Sequence, residues 1–142
     1  MYFNLDKWVG YITENATKQI SEAFGRRLKD AGITRVQWIA LYYAKTRKGI
    51  SQRDLSNLMN VKDSSAGRLI DRLERDGLIE RERNDEDRRI IRVNLTAKGD
   101  ELISSLISIG TKFNEDLLIG IDEEELIIYD KVLRKMLSNI IE

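Results

Sequence analysis

Apolar residues recur at three-to-four spacing along most of this chain, and the pattern breaks into six helical stretches and one short alternating pair. Over residues 1–30, Leu5, Trp8, Val9, Tyr11, Ile12, Ala16, Ile20, Ala23, Phe24 and Leu28 predict a helix that stops at Gly32. Thr34 and Gln37 have capping-box spacing. The helix they open carries Val36, Trp38, Ile39, Leu41, Tyr42 and Tyr43 and should be almost wholly buried. A third helix starts at Ser51, whose hydroxyl can cap the first turn, with Leu55, Leu58 and Met59 turned inward. Too short to stand alone in water, it needs neighbours. After the turn Asn60-Val61-Lys62, a fourth helix is predicted from Asp63 to Asp76, with Ala66, Leu69, Ile70 and Leu73 as its core stripe and Gly77 as its left-handed cap.

The period then changes from helical to alternating. Leu78–Asn84 and Ile90–Leu95 read as strands, and Ile91, Val93 and Leu95 face opposite to Arg92 and Asn94. The turn joining them, residues 84–89, is long and charged for a hairpin with no other task. Thr96 caps a long helix reaching about Leu118, and Asp122 opens a last one. There Leu126, Tyr129, Leu133, Met136 and Ile140 form one apolar line, widened by Ile127, Ile128, Val132, Leu137 and Ile141. So broad a stripe asks for burial on more than one side. The first and last helices are therefore the candidate faces for a second copy of the chain.

Charge sharpens the picture. The net charge is zero, but residues 45–98 hold 14 Lys/Arg against 10 Asp/Glu, and residues 99–142 hold 4 against 10. The basic excess coincides with the helix, turn, helix and ribbon, as a local nucleic-acid face requires. Composition removes other classes. With no Cys and no His, a disulfide framework, a thiol or Ser-His-Asp nucleophile and an ordinary zinc site are excluded. No catalytic constellation stands out. Enzymatic activity, a cofactor and a metal are not expected. No apolar run is long enough to span a membrane and no leader pattern precedes the first helix, so a cytoplasmic location is expected.

The most specific stretch is Asp87-Arg88-Arg89 followed by an alternating strand that ends in Leu95-Thr96, then Lys98-Gly99. Upstream, Leu69-Ile70-Asp71-Arg72-Leu73-Glu74 precedes Gly77-Leu78-Ile79, and Gln37-Trp38 opens the buried helix. In this order and spacing, residues 33–102 resemble the MarR family of transcription regulators. The resemblance implies a mainly α fold with a small β-wing, a winged helix-turn-helix flanked by dimerisation helices. It implies limits of 1–32 for the N-terminal dimerisation helix, 33–98 for the DNA-binding domain and 99–142 for the C-terminal dimerisation helices. A homodimeric, sequence-specific repressor of a pseudo-palindromic double-stranded operator, released by a small aromatic or anionic effector, is the function implied. The alternative is a winged-helix module that meets protein partners and does not select DNA. Two positions depart from the family: Lys62 stands where an Asp cap is common, and Gly67 where Thr or Ser is.

A major groove about 12 Å wide admits one helix, read from its N-terminal end. That places Ser64, Ser65, Gly67 and Arg68 at base edges, with Arg68 suited to guanine; the competing role for Arg68 is an ion pair with Asp71 or Asp63. Arg72 is assigned to phosphate or to a wing acid such as Asp87, and Ser51, Gln52, Arg53 and Lys62 to phosphates. On the wing, Arg89 aligns with the family position that enters the minor groove. Arg88 flanks it, and Asp87 can orient an Arg. An effector pocket would draw on Trp8, Tyr11, Trp38 and Tyr42, with Tyr43 beside them and Arg26, Arg27 or Arg35 as countercharge. Against that stands the simpler role of these aromatics as core.

Overall fold

The computed structural model describes residues 3–141. A 3-10 turn at Leu5–Lys7 precedes α1 (Val9–Leu28); α2 (Arg35–Thr46), α3 (Gln52–Met59) and α4 (Asp63–Arg75) follow. Strands β1 (Ile79–Arg83) and β2 (Ile91–Leu95) form an antiparallel ribbon, and α5 (Ala97–Leu117) and α6 (Glu123–Ile140) complete the chain. It divides into two compact units after Gly110. No described helix is long and apolar enough to cross a membrane.

The caps form where the sequence places them. Thr34 Oγ1 accepts from the Gln37 N–H while Gln37 Oε1 accepts from the Thr34 N–H, a reciprocal capping box. Ser51 Oγ accepts from the Asp54 N–H, Thr96 Oγ1 from Gly99 and Asp122 Oδ1 from Glu125. Asn60 takes the left-handed conformation that turns α3 toward α4, and Gly77 takes it after α4. Lys62, in the cap position of α4, offers no side-chain acceptor, so the first turn of α4 keeps free N–H groups.

Within the first unit, Ala40, Leu41, Ala44, Ile50, Leu55, Ile70, Leu73, Leu78, Ile79, Val93 and Ile103 make one buried core. Burying each large aliphatic side chain there contributes about 1.5–3 kcal/mol. The ribbon is tied to this core on one edge: the Val93 N–H donates to the Ile50 carbonyl, and Ser51 bridges to Arg92. Gly99 is enforced by contact, since a Cβ there would run into the Leu78 carbonyl. Helix α5 can thus leave directly beneath the start of β1.

Two expectations about burial change. Helix α2 is only half-buried, with Ala40, Leu41 and Ala44 inside and Tyr42 exposed. Leu58 is exposed, because the eight residues of α3 offer one narrow inward stripe, taken by Leu55 and Ser56. The Arg92 guanidinium is tied down beside the ribbon, its Nη1 donating to the Gly49 carbonyl at 3.0 Å. At the ends of the chain, α1 buries only Phe24 and Leu28, and α6 buries nothing.

Candidate nucleic-acid interface

Helix α4 presents its apolar stripe to the core and its N-terminal half to solvent. Ser64, Ser65 and Arg68 are exposed, Gly67 is half-buried, and Arg72 is exposed one turn further on. The acids that could silence Arg68 are engaged elsewhere. Asp63 Oδ1 accepts from the Ser56 hydroxyl at 2.9 Å, and Asp71 Oδ1 accepts from Arg81. Among the described residues no acid pairs with Arg53, Lys62, Arg68, Arg72 or Arg88. Arg53 and Lys62 stand at the starts of α3 and α4, and Arg68 and Arg72 lie along α4, leaving uncompensated positive charge on the helix-turn-helix.

The candidate residues fall on two flanks of α4. One flank is an open groove of about 740 Å³ between α3, α4 and the ribbon, lined by Ser51, Gln52, Arg53, Asp87 and Arg89 among others. There Gln52 Oε1 is buried without a hydrogen-bond partner. The opposite flank lies beside the start of α2, where Ser65, Arg68 and Arg72 meet Thr34 and Gln37. Gly67 looks into the first groove: a Cβ there would have Gln52 Nε2 as its nearest neighbour, 3.9 Å away. The fold therefore has room for Ala at this position.

The wing tip is built around two side-chain acceptors. Asn84 Oδ1 takes the N–H groups of Glu86 and Asp87. Asp87 takes the Arg89 backbone N–H, its Nε and its Nη2, all at 3.0 Å. The Arg89 hydrogen bonds hold the Asp87 carboxyl below the usual aspartate range, side-chain bonds first and backbone second, and Asp87 in turn raises Arg89. Arg89 is thus oriented yet 91% exposed. Arg83 Nη1 donates to the Arg88 carbonyl at 2.7 Å and stiffens the other side of the turn. The wing acid pairs with Arg89 and not with Arg72.

The aromatic candidates separate. Trp38 stacks on Tyr42 with ring centroids 5.5 Å apart, meets Phe24 edge-on, and donates its indole N–H to the Leu106 carbonyl at 3.0 Å. Trp8 meets Phe3 at the far end of α1. Sixteen residues separate Trp8 from Phe24, about 24 Å of helix. Trp8 and Tyr11 therefore do not join Trp38 and Tyr42 within this chain.

Sequence reading passed over one residue that shapes this face. Arg81, on β1 opposite Val93, donates from Nη2 to Glu74 Oε1 (3.0 Å) and Asp71 Oδ1, and from its backbone N–H to Glu74 Oε2 (3.1 Å). Its guanidinium pulls Glu74 below the usual glutamate range, and Glu74 first, then Asp71, raises Arg81. The signal available beforehand was weak: two acids three residues apart on α4 and an Arg seven residues after the second.

A capped helix-turn-helix followed by an antiparallel ribbon, with a charged tip, defines a winged helix-turn-helix protein. The MarR family profile matches residues 33–91. The chain is 32% identical to transcriptional regulator PA3341, covering 94% of this chain and 98% of that one at a TM-score of 0.82. Staphylococcus aureus MepR, solved as a DNA complex, is 26% identical over 92% of this chain and 97% of its own, TM-score 0.84. Bordetella bronchiseptica BpsR, whose DNA binding is regulated by 6-hydroxynicotinic acid, shares the fold at 20% identity, covering 96% and 97%, TM-score 0.86. The chain belongs to the MarR family of winged helix-turn-helix transcriptional regulators.

Proposed function

We propose that two copies of this chain form a homodimeric repressor that binds a pseudo-palindromic double-stranded operator and leaves it when a small aromatic anion binds. The observation that carries the reading is the partnering of charge on α4: Asp63 and Asp71 are engaged by Ser56 and Arg81, while Arg68 and Arg72 stay exposed and unpaired along it. Ser64, Ser65, Gly67 and Arg68 enter the major groove, Arg68 donating two hydrogen bonds to guanine. Ser51, Gln52, Arg53, Lys62 and Arg72 hold phosphates, and Arg89, aimed by Asp87 and flanked by Arg88, enters the minor groove. Residues 1–32 and 99–142 supply the pairing helices and residues 33–98 the DNA-binding lobe. The exposed apolar residues of α1 and α6 support the pairing.

An effector acts through the helices that set the spacing of the two lobes. Trp38 and Tyr42 offer a stacked wall for it. Trp8 and Tyr11 contribute from elsewhere on the dimer. MepR bound to DNA and BpsR regulated by a hydroxylated aromatic acid give this reading its precedent.

Selection of bound DNA from a random duplex pool tests it directly. The expected product is an inverted repeat with half-sites about one helical turn apart and affinity falling steeply with salt. A pool that yields no enriched sequence, from a chain that sizes as a monomer, overturns it in favour of a protein-interaction module. Release by aromatic acids is read by anisotropy on the selected duplex, and no response to a panel of them removes the effector.

A further inference from the structure

Arg81 is oddly placed for a stability device. It sits on β1, away from the groove-facing end of α4, and its partners Asp71 and Glu74 have side chains 62% and 41% exposed. Ion pairs so open to water contribute little to stability. Yet one guanidinium engages two carboxylates through a single nitrogen, while its own backbone N–H takes a further oxygen of Glu74.

Helix geometry shows what the arrangement prevents. Residues three and four apart lie together on a helix surface. Asp71 therefore has Arg68 at i−3 and Arg75 at i+4 as natural partners. Arg75 lies against Asp76 instead, at 3.4 Å. Arg68 would be left as the available cation, and a carboxylate on its guanidinium competes directly with a base edge or phosphate for the same N–H donors.

Resting on the DNA-binding reading above, we propose that Arg81 is a positioning residue for recognition: by occupying Asp71 from the wing strand, it keeps Arg68 free to contact DNA. The wing then acts twice, once with its tip and once from its inner strand, by holding an acid off the reading helix. Specificity at the base pair read by Arg68 depends on a residue that touches no DNA.

The test is a charge-suppression cycle in the full chain, read by fluorescence anisotropy on the selected operator. Arg81→Gln is expected to weaken binding at least about fivefold, the lower end of what a bidentate Arg–guanine contact supplies. D71N alone should stay within about twofold of the parent, and Arg81→Gln combined with D71N should return to within about twofold, since the competing charge is gone. A mere brace between wing and helix would not be rescued by removing Asp71. A double variant as weak as Arg81→Gln, Arg81→Gln binding like the parent, or D71N alone tightening binding severalfold each overturns the proposal. Circular dichroism checks folding. If Arg81→Gln does not fold, Arg81→Lys, a point charge that cannot engage both acids equally, takes its place under the same rescue criterion. A parent protein that selects no DNA overturns the DNA reading; a parent that binds and a double variant that fails to recover overturn this inference alone.

Discussion

The lobe built from α2, α3, α4 and the ribbon differs from α6 in how far one copy satisfies it. The lobe buries Leu41, Leu55, Ile70, Leu73, Ile79 and Val93 almost completely. Helix α6 leaves Ile127, Ile128, Tyr129, Val132 and Leu137 about half exposed or more, and the early turns of α1 leave Trp8, Val9 and Ile12 so. Both regions have helical apolar periodicity, so periodicity alone does not say where the apolar face goes. What separates them is width: the α4 stripe is narrow and consumed locally, and the α6 stripe is too wide for one neighbour. The recognition lobe, with Ile103 of α5, closes its core within one chain, and α6 leaves most of its apolar residues exposed.

The contrast breaks first at Ile70, fully buried in the lobe. Ile70→Ala should cost about 2–5 kcal/mol and lower the melting temperature. Val132→Glu, on α6, tests the other side: light scattering should show a monomer, and operator affinity should fall by about 100-fold with the loss of two-site binding. The two effects differ in kind: a paired chain melts at a temperature that rises with protein concentration, and only the pairing defect abolishes that dependence. Next come Arg68→Ala and Arg89→Ala, each expected to weaken operator binding by about 1–3 kcal/mol. Arg68→Ala should relax the preference at one base pair, and Arg89→Ala the preference for A·T flanks, as a repeat of the DNA selection would show. Neither should alter the dimer mass.

Smaller effects sharpen the picture inside the lobe. Gly67→Ala should stabilise α4 by roughly 1 kcal/mol and raise the melting temperature by about 3–5 °C. If Gly67 serves close approach to DNA, that same protein binds the operator more weakly. Glu74 is held below its ordinary pKa by Arg81. The sign follows by linkage: its contribution is fully present above the unfolded-state pKa and lost as pH falls through the lowered folded value. Replacing Glu74 by Gln should therefore lower the melting temperature slightly at neutral pH, leave the acid end unchanged, and so flatten the limb between them.

The elements were legible because the chain announces its own boundaries. Thr34, Ser51, Thr96 and Asp122 start helices with their own oxygens, and Gly32 and Gly77 end them with positive φ. The wing was legible from Asp87 and the alternation through Leu95. Burial of α2 was overestimated because apolar content does not reveal how many neighbours a helix meets, and only Ala40, Leu41 and Ala44 are buried. Pairwise electrostatics were the least visible. Asp71 lies within reach of Arg68 along the helix, and only the folded chain shows Arg81 claiming it first, while Asp63 is held by Ser56. Leu58 was misplaced for a related reason, since a short helix leaves little periodicity to average over.

The two tryptophans occupy opposite situations. Trp38 stacks on a tyrosine and spends its N–H on a carbonyl of α5, whereas Trp8 is 55% exposed at the head of α1. The chain therefore carries two optical probes in separate places. Emission from Trp38 follows the integrity of the α2–α5 packing, and emission from Trp8 follows whatever covers the start of α1. With Trp8→Phe and Trp38→Phe each isolating one signal, folding and assembly can be timed separately in a single mixing experiment, with no label attached.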